Sequence, residues 1–364
     1  MRGGVTGTGP ARPVVLGPPT VTPSRERLVV ADGVRNADDP RVEPAPATER
    51  IAALHRRFAA VETSGRSPLY GRLARGVAAD AELLAFLATL PERTWQPQLV
   101  FSAVQYLQGP LTTPAQFADA LRTRREDVAT VMRAHTTQTN IPARCATLLP
   151  VLAALPPPLA LVEVGASAGL CLYPDRYSYD YDGHRVTPVR PSGVPTFRCT
   201  ASPGTPLPAA PVEVVWRAGL DLNPLDVHDP DDVAWLDALV WPGEEHLRAQ
   251  LHAALDLARA EPVTVRRGDL ATDLPALLAE APDDATLVVF HTAVLPYVDD
   301  AAKAAFLAAV RSSRAVWLAN EAPPRIPGLD RATVDAHPEH QYLLCRDGRP
   351  LARTDPHASW IEWL

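Results

Sequence analysis

Three consecutive prolines, Pro156 to Pro158, divide this chain of 364 residues into two textures. Proline removes an amide donor and disfavours helix in the residue before it, so no helix runs through such a triplet. Ahead of it the stretches IAALHRRFAAVE, AADAELLAFLATL, PQLVFSAVQYLQ and PAQFADALRTRREDVATVMRAH repeat apolar residues at helical spacing with few glycines. Residues 47–155 are therefore expected to be a helical region of five to seven helices. Beyond the triplet, short apolar runs alternate with amphipathic ones, the pattern of an α/β architecture built on a parallel sheet. Strands are expected at 159–164, 212–219, 262–268, 286–291 and 314–320. Helices are expected from Ser167, Asp231, Glu244, Asp273 and Asp299, several opening on residues that cap helix N-termini. Asp347-Gly348 predicts a late hairpin, and SWIEWL at the end of the chain predicts an edge strand. YSYDYDGHRV predicts an exposed hairpin, or alternatively an aromatic flap, inside an insertion at 177–211 of a domain spanning 156–364. Residues 1–46 lack periodicity and are expected to be a disordered extension.

Composition narrows the partners. With 46% apolar and 21% charged residues the chain is of ordinary globular type, and its net charge of −7 argues against nucleic acid or an anionic membrane as partner. The long uncharged run 146–162, ATLLPVLAALPPPLALV, is broken by four prolines, which argues against a membrane span. No signal-peptide pattern opens the chain. Cys145, Cys171, Cys199 and Cys345 form no C-x-x-C pair and are read as buried thiols of a reducing, cytoplasmic compartment.

The chemistry gathers at LVEVGASAGL, 161–170. Gly165-Ala-Ser167-Ala-Gly169 satisfies the nucleophile elbow of a serine hydrolase, with Asp299 and His337, His340 or His357 as possible partners. The helices upstream leave no strand and no oxyanion loop ahead of Ser167, which weighs against that reading. A dinucleotide fingerprint fits poorly because Ser167 replaces its second glycine. The third reading is a glycine turn with an acid, Glu163, two positions before it. It suits a ligand with an ammonium group and no pyrophosphate, such as S-adenosylmethionine. Asp221, at the end of the second strand, is placed to hold ribose hydroxyls. Asp269 and Leu270, after the third, are placed to hold an adenine amino group and ring.

GASAGL, DRYSYDY, GLDLNPLDVHDPDD, ALVWP, RRGD, VVFHTAVLPYV and the upstream QTN together resemble the bacterial domain of unknown function 2332 family, from about residue 50 onward. The pattern is similar to class I S-adenosylmethionine-dependent methyltransferases. The resemblance implies a Rossmann-like, seven-stranded sheet ending in an antiparallel hairpin, with the helical region as an N-terminal cap. It also implies Asn where Cys171 stands. The expected donor site comprises Glu163, Gly165, Ser167, Gly169, Asp221, Asp269, Leu270, Phe290 and Asn140, the last closing from the helical side with Gln138. His291 is the expected base, beside Phe290 and Tyr297, with Asn320-Glu321 facing the same pocket. The expected acceptor is a small molecule. A catalytically silent donor-binding or nucleotide-binding regulator of the same fold is the alternative.

Overall fold

Leu159–Val164 is buried at all six positions, as a strand covered on both faces must be. It is β1, the middle one of the five parallel strands of the main sheet. The computed structural model describes residues 1, 45–64, 66–189, 193–338 and 340–364. The strands that follow among these are β2 (Ser178–Tyr181), β3 (His184–Val186), β4 (Thr196–Arg198), β5 (Thr200–Ala201), β6 (Val214–Asp221), β7 (Thr264–Arg267) and β8 (Thr286–Thr292). Then come β9 (Val316–Glu321), β10 (Tyr342–Arg346), β11 (Arg349–Thr354) and β12 (Trp360–Trp363). The main sheet runs β5-β12-β11-β10-β9-β8-β1-β6-β7. Its five strands from β7 to β9 are parallel, and β10, β11 and β12 run antiparallel beyond them. Strand order reverses between β1 and β8, the place where open α/β sheets in general have a crevice at the carboxyl ends of their strands.

Among the described residues seven α-helices precede β1: α1 (Ala47–Arg57), α2 (Pro68–Ala79), α3 (Ala81–Ala88), α4 (Pro97–Gln108), α5 (Pro114–Thr123), α6 (Arg125–Ala134) and α7 (Cys145–Ala153). Local chemistry starts several of them. Ser67 and Asp80 accept backbone amides at the first turns of α2 and α3, and Thr113 forms a reciprocal capping box with Gln116 on α5. Proline opens α2, α4 and α5, where a missing amide costs nothing. Later come α8 (Pro230–Ala238), α9 (Glu245–Ala260), α10 (Leu274–Leu278), α11 (Asp300–Arg311) and α12 (Arg331–Asp335).

One core cluster carries Leu99, Phe101, Leu148 and Val151 of the helical region together with Leu161, Phe290 and Leu318 of the sheet. A second lies on the other face, where Val162, Val289 and Trp317 meet Leu274, Leu277 and Phe306 of α10 and α11. The helical region thus covers one face of the sheet, and residues 45–364 form one compact unit. The expected disorder of 1–46 falls almost wholly outside the described residues.

Four expectations change. No helix starts at Ser167: the chain makes a single 3₁₀ turn at Leu170–Leu172, because Pro174 leaves no room for an α-helix. The insertion is a small sheet, β3-β2-β4, turned at Asp182-Gly183 with φ of 52° and 98°, the left-handed pair of a type I′ turn. It is not an exposed hairpin, since Tyr177, Tyr179 and Tyr181 are all buried. Their hydroxyls donate at 2.7 Å to the carbonyls of Leu170, Pro174 and Ala146. Among the described residues the main sheet has nine strands rather than seven, and β12 is not its edge, because β5 pairs outside it.

Candidate functional site

At the carboxyl end of β1, Glu163 pairs in register with Gly219 of β6 and Phe290 of β8. Alternation along each strand then fixes the faces. Glu163, Asp221 and Phe290 turn toward the helical region, and His291 turns away. Glu163 is 2% exposed and its Oε2 has no hydrogen-bond partner. Burial, joined by the thiol of Cys171 and the carboxylate of Asp221, pushes its carboxyl well above the usual range, while Arg144 opposes the shift.

The glycine turn leaves β1 through Gly165 (φ 67°), Ser167 (φ 53°) and Gly169 (φ 73°). A Cβ on Gly165 would lie 2.5 Å from Cγ2 of Val294, so no other residue fits that left-handed position. Most amides of the turn are taken by the protein. Gly165 N–H donates to Leu220 O at 2.8 Å, Ser167 N–H to Asp221 Oδ2 at 2.8 Å and Leu170 N–H to Asn140 Oδ1 at 2.9 Å. Asp221 Oδ1 also accepts from the amide of Asn223 at 2.7 Å and from Gln138 Nε2 at 3.2 Å. A carboxylate offers about four acceptor sites, so three of those of Asp221 are in use. Gln138 and Asn140 thus fasten the loop ahead of α7 onto the turn, and Tyr177 grips it from the other side.

The expected site residues therefore divide. Glu163, Gly165, Ser167, Gly169, Asp221 and Asn140 belong to one linked cluster, with Phe290 beside Glu163. Leu270 does not join it: its side chain packs in the core of the opposite face. Asp269 accepts the amide of Ala271 at 2.8 Å and organises the turn into α10. Ser167 Oγ donates to Gln138 O at 3.1 Å, and Asp299 caps α11 through the amide of Ala302. Among the described residues neither Ser167 nor Asp299 bonds a histidine there.

His291, the expected base, lies on the other face of the sheet. Its Nε2 accepts from the indole of Trp317 at 3.0 Å, which leaves the proton on Nδ1, donated to Glu321 Oε1 at 2.7 Å. Glu321 also takes the amides of Val294 and Leu295. Both ring nitrogens are engaged on the far face, where no acceptor lodged beside Glu163 meets them. Asn320 and Glu321 likewise point to opposite faces, Asn320 bonding Thr147 of α7 and Thr354 of β11.

One residue of this region was not anticipated. Arg144, 5% exposed, sits in the turn before α7 and donates through Nε to Pro356 O at 3.0 Å and through Nη1 to Thr292 O at 3.3 Å. The sequence carries a signal for it: Arg144 is the one Asp, Glu, Lys or Arg between Arg133 and Glu163.

These features define a mixed α/β protein with a largely parallel sheet and a buried polar cluster at the switch in strand order. The chain belongs to the family described as uncharacterized protein conserved in bacteria (DUF2332), whose model matches residues 52–363. No curated protein and no solved structure matches the chain. Among the described residues no helix is long and apolar enough to cross a membrane, and no group of His, Cys, Asp or Glu is arranged to hold a metal ion.

Proposed function

We propose that the chain is a cytoplasmic S-adenosylmethionine-dependent methyltransferase of a small molecule, with a Rossmann-like sheet and the helical region as its cap. The observation that carries this reading is the partnerless Oε2 of buried Glu163, next to a glycine turn at the switch point. Leaving such an oxygen unsatisfied costs about 1–3 kcal/mol, and a ligand ammonium would restore the bond. Asp221 fits the ribose hydroxyls with its remaining acceptor site, or with two once Gln138 withdraws. Bound there, S-adenosylmethionine supplies a methyl group on a cationic sulfur. The four described cysteines are free and buried, which supports a reducing compartment.

Calorimetric titration with S-adenosylhomocysteine tests the reading. Binding to the wild-type chain, lost in Glu163→Ala and weakened in Asp221→Ala, is the expected result; no heat with any of the three removes it. The engagement of both nitrogens of His291 favours a second reading, a donor-binding regulator without turnover, if the acceptor must surrender a proton. Binding without methyl transfer to any acceptor class would select it.

A further inference from the structure

The side chain of Gln138 covers the end of β6. Its Nε2 donates to Asp221 Oδ1 at 3.2 Å and to Asn223 O at 2.7 Å, while its Oε1 accepts from Asn223 Nδ2 at 3.2 Å. The hydroxyl of Thr136 reaches the same Oε1 at 3.0 Å. One carboxamide from the helical side therefore engages a carboxylate, a carbonyl and an amide group of the segment that leaves β6.

The sense of this arrangement is fixed from its far end. Nη1 and Nη2 of Arg267 both donate to Asn223 Oδ1 at 3.2 Å, and a guanidinium has no acceptor to offer. Asn223 must then turn its Nδ2 toward Gln138, which in turn presents Oε1 to Asn223 and Nε2 to Asp221. The backbone amide of Asn223, donating to Asp221 Oδ1 at 2.7 Å, holds the segment against the same carboxylate.

The backbone of the loop has separate anchors. Ser167 Oγ donates to Gln138 O at 3.1 Å, Asn140 Oδ1 takes the Leu170 amide at 2.9 Å, and the Trp235 indole donates to Thr136 O at 3.0 Å. None of these contacts uses the Gln138 carboxamide. Gln138 is only half-buried, so its flexible side chain can swing out while the loop stays in place.

A vicinal diol offers the same pattern of hydrogen bonds. Its hydroxyls supply donors for Asp221 Oδ1 and Asn223 O and an oxygen that accepts from Asn223 Nδ2. We infer that the Gln138 side chain is an internal stand-in for a ribose diol, a plug that a ligand carrying the diol displaces from Asp221 and Asn223. The inference deepens the methyltransferase reading and rests on it for the identity of the ligand. The plug keeps these polar groups satisfied in the free chain and lowers the apparent affinity of whatever must displace it.

Calorimetric titration of the full chain with adenosine, 2′-deoxyadenosine and S-adenosylhomocysteine tests this, in wild type, Gln138→Ala and Gln138→Glu. Adenosine and S-adenosylhomocysteine should each bind at least about fivefold more tightly to Gln138→Ala, the size of one net hydrogen bond. Gln138→Glu keeps the length of the side chain but sets a second carboxylate against Asp221, so it should leave the site and give the same gain. Either variant decides alone if the other fails to fold. 2′-Deoxyadenosine leaves one group of the site unpaired and should bind about tenfold more weakly than adenosine. Equal binding of the two nucleosides, or S-adenosylhomocysteine binding that neither variant tightens, overturns the plug and leaves the donor reading standing. Adenosine binding that tightens in the variants, with S-adenosylhomocysteine no better than adenosine and unaffected by Glu163→Ala, sinks the donor reading alone. No binding of any of the three to any chain overturns both.

Discussion

Glu163 shows how one buried side chain bears on stability and, in the proposed function, on binding. Its carboxyl is raised by burial, so the folded state holds a proton that the unfolded chain releases at lower pH. The stability tied to that proton is complete below the unfolded value near 4.5 and declines as pH rises toward the folded one. Glu163→Gln removes the titration. The variant should therefore gain melting temperature over wild type as pH increases from 4.5 to 7, with the two converging in acid, while losing S-adenosylhomocysteine binding. A constant difference across that range would contradict the assignment. Gly165 is the second such residue. Gly165→Ala combines positive φ with a Cβ 2.5 Å from Val294 and should cost about 2–4 kcal/mol in urea unfolding. Adding Val294→Ala should recover the steric part and leave about 1 kcal/mol of backbone strain. Much of this scale was legible: LVEVG carries both the acid and the turn. The pairing of Phe290 with His291 in one pocket was not tenable even from the sequence, because adjacent residues of a strand point to opposite faces. Register, which decides the face, came only with the strand partners.

At the scale of elements, the strands at 159–164 and 286–291 emerge close to where their apolar runs put them, since an uninterrupted hydrophobic run between turn residues has few alternatives. The missing helix after Ser167 had its own sign in Pro174, outweighed by the usual sequence of glycine turn and helix. The partners of the turn come from residues 138–140 and 221, and no local pattern encodes pairings so distant. Asn140 supplies the acceptor for Leu170 N–H. Asn140→Ala should destabilise by about 1–2 kcal/mol and speed hydrogen exchange at Leu170 ahead of the β1 amides. Unchanged exchange at Leu170 would mean that the loop is held by other contacts.

For the whole molecule, the helical region and the sheet share one apolar cluster, so neither buries its surface alone. Urea unfolding followed by far-ultraviolet circular dichroism and by tryptophan fluorescence should give coincident curves with a single midpoint. Two separated transitions would mean that the regions fold independently. Their boundary at the proline triplet was readable as a change of texture. Their union in one core was not, because apolar periodicity reports that a helix has a buried face and is silent on what covers it.

The two residues of β5 reach across from the tyrosine-rich insertion to shield the outer side of β12. Without them WIEW would offer a row of bare amides and carbonyls to another chain, an open invitation to polymerise. Trimming the proline-rich loop at 199–211 should therefore be felt first as lost solubility on expression, well away from Glu163.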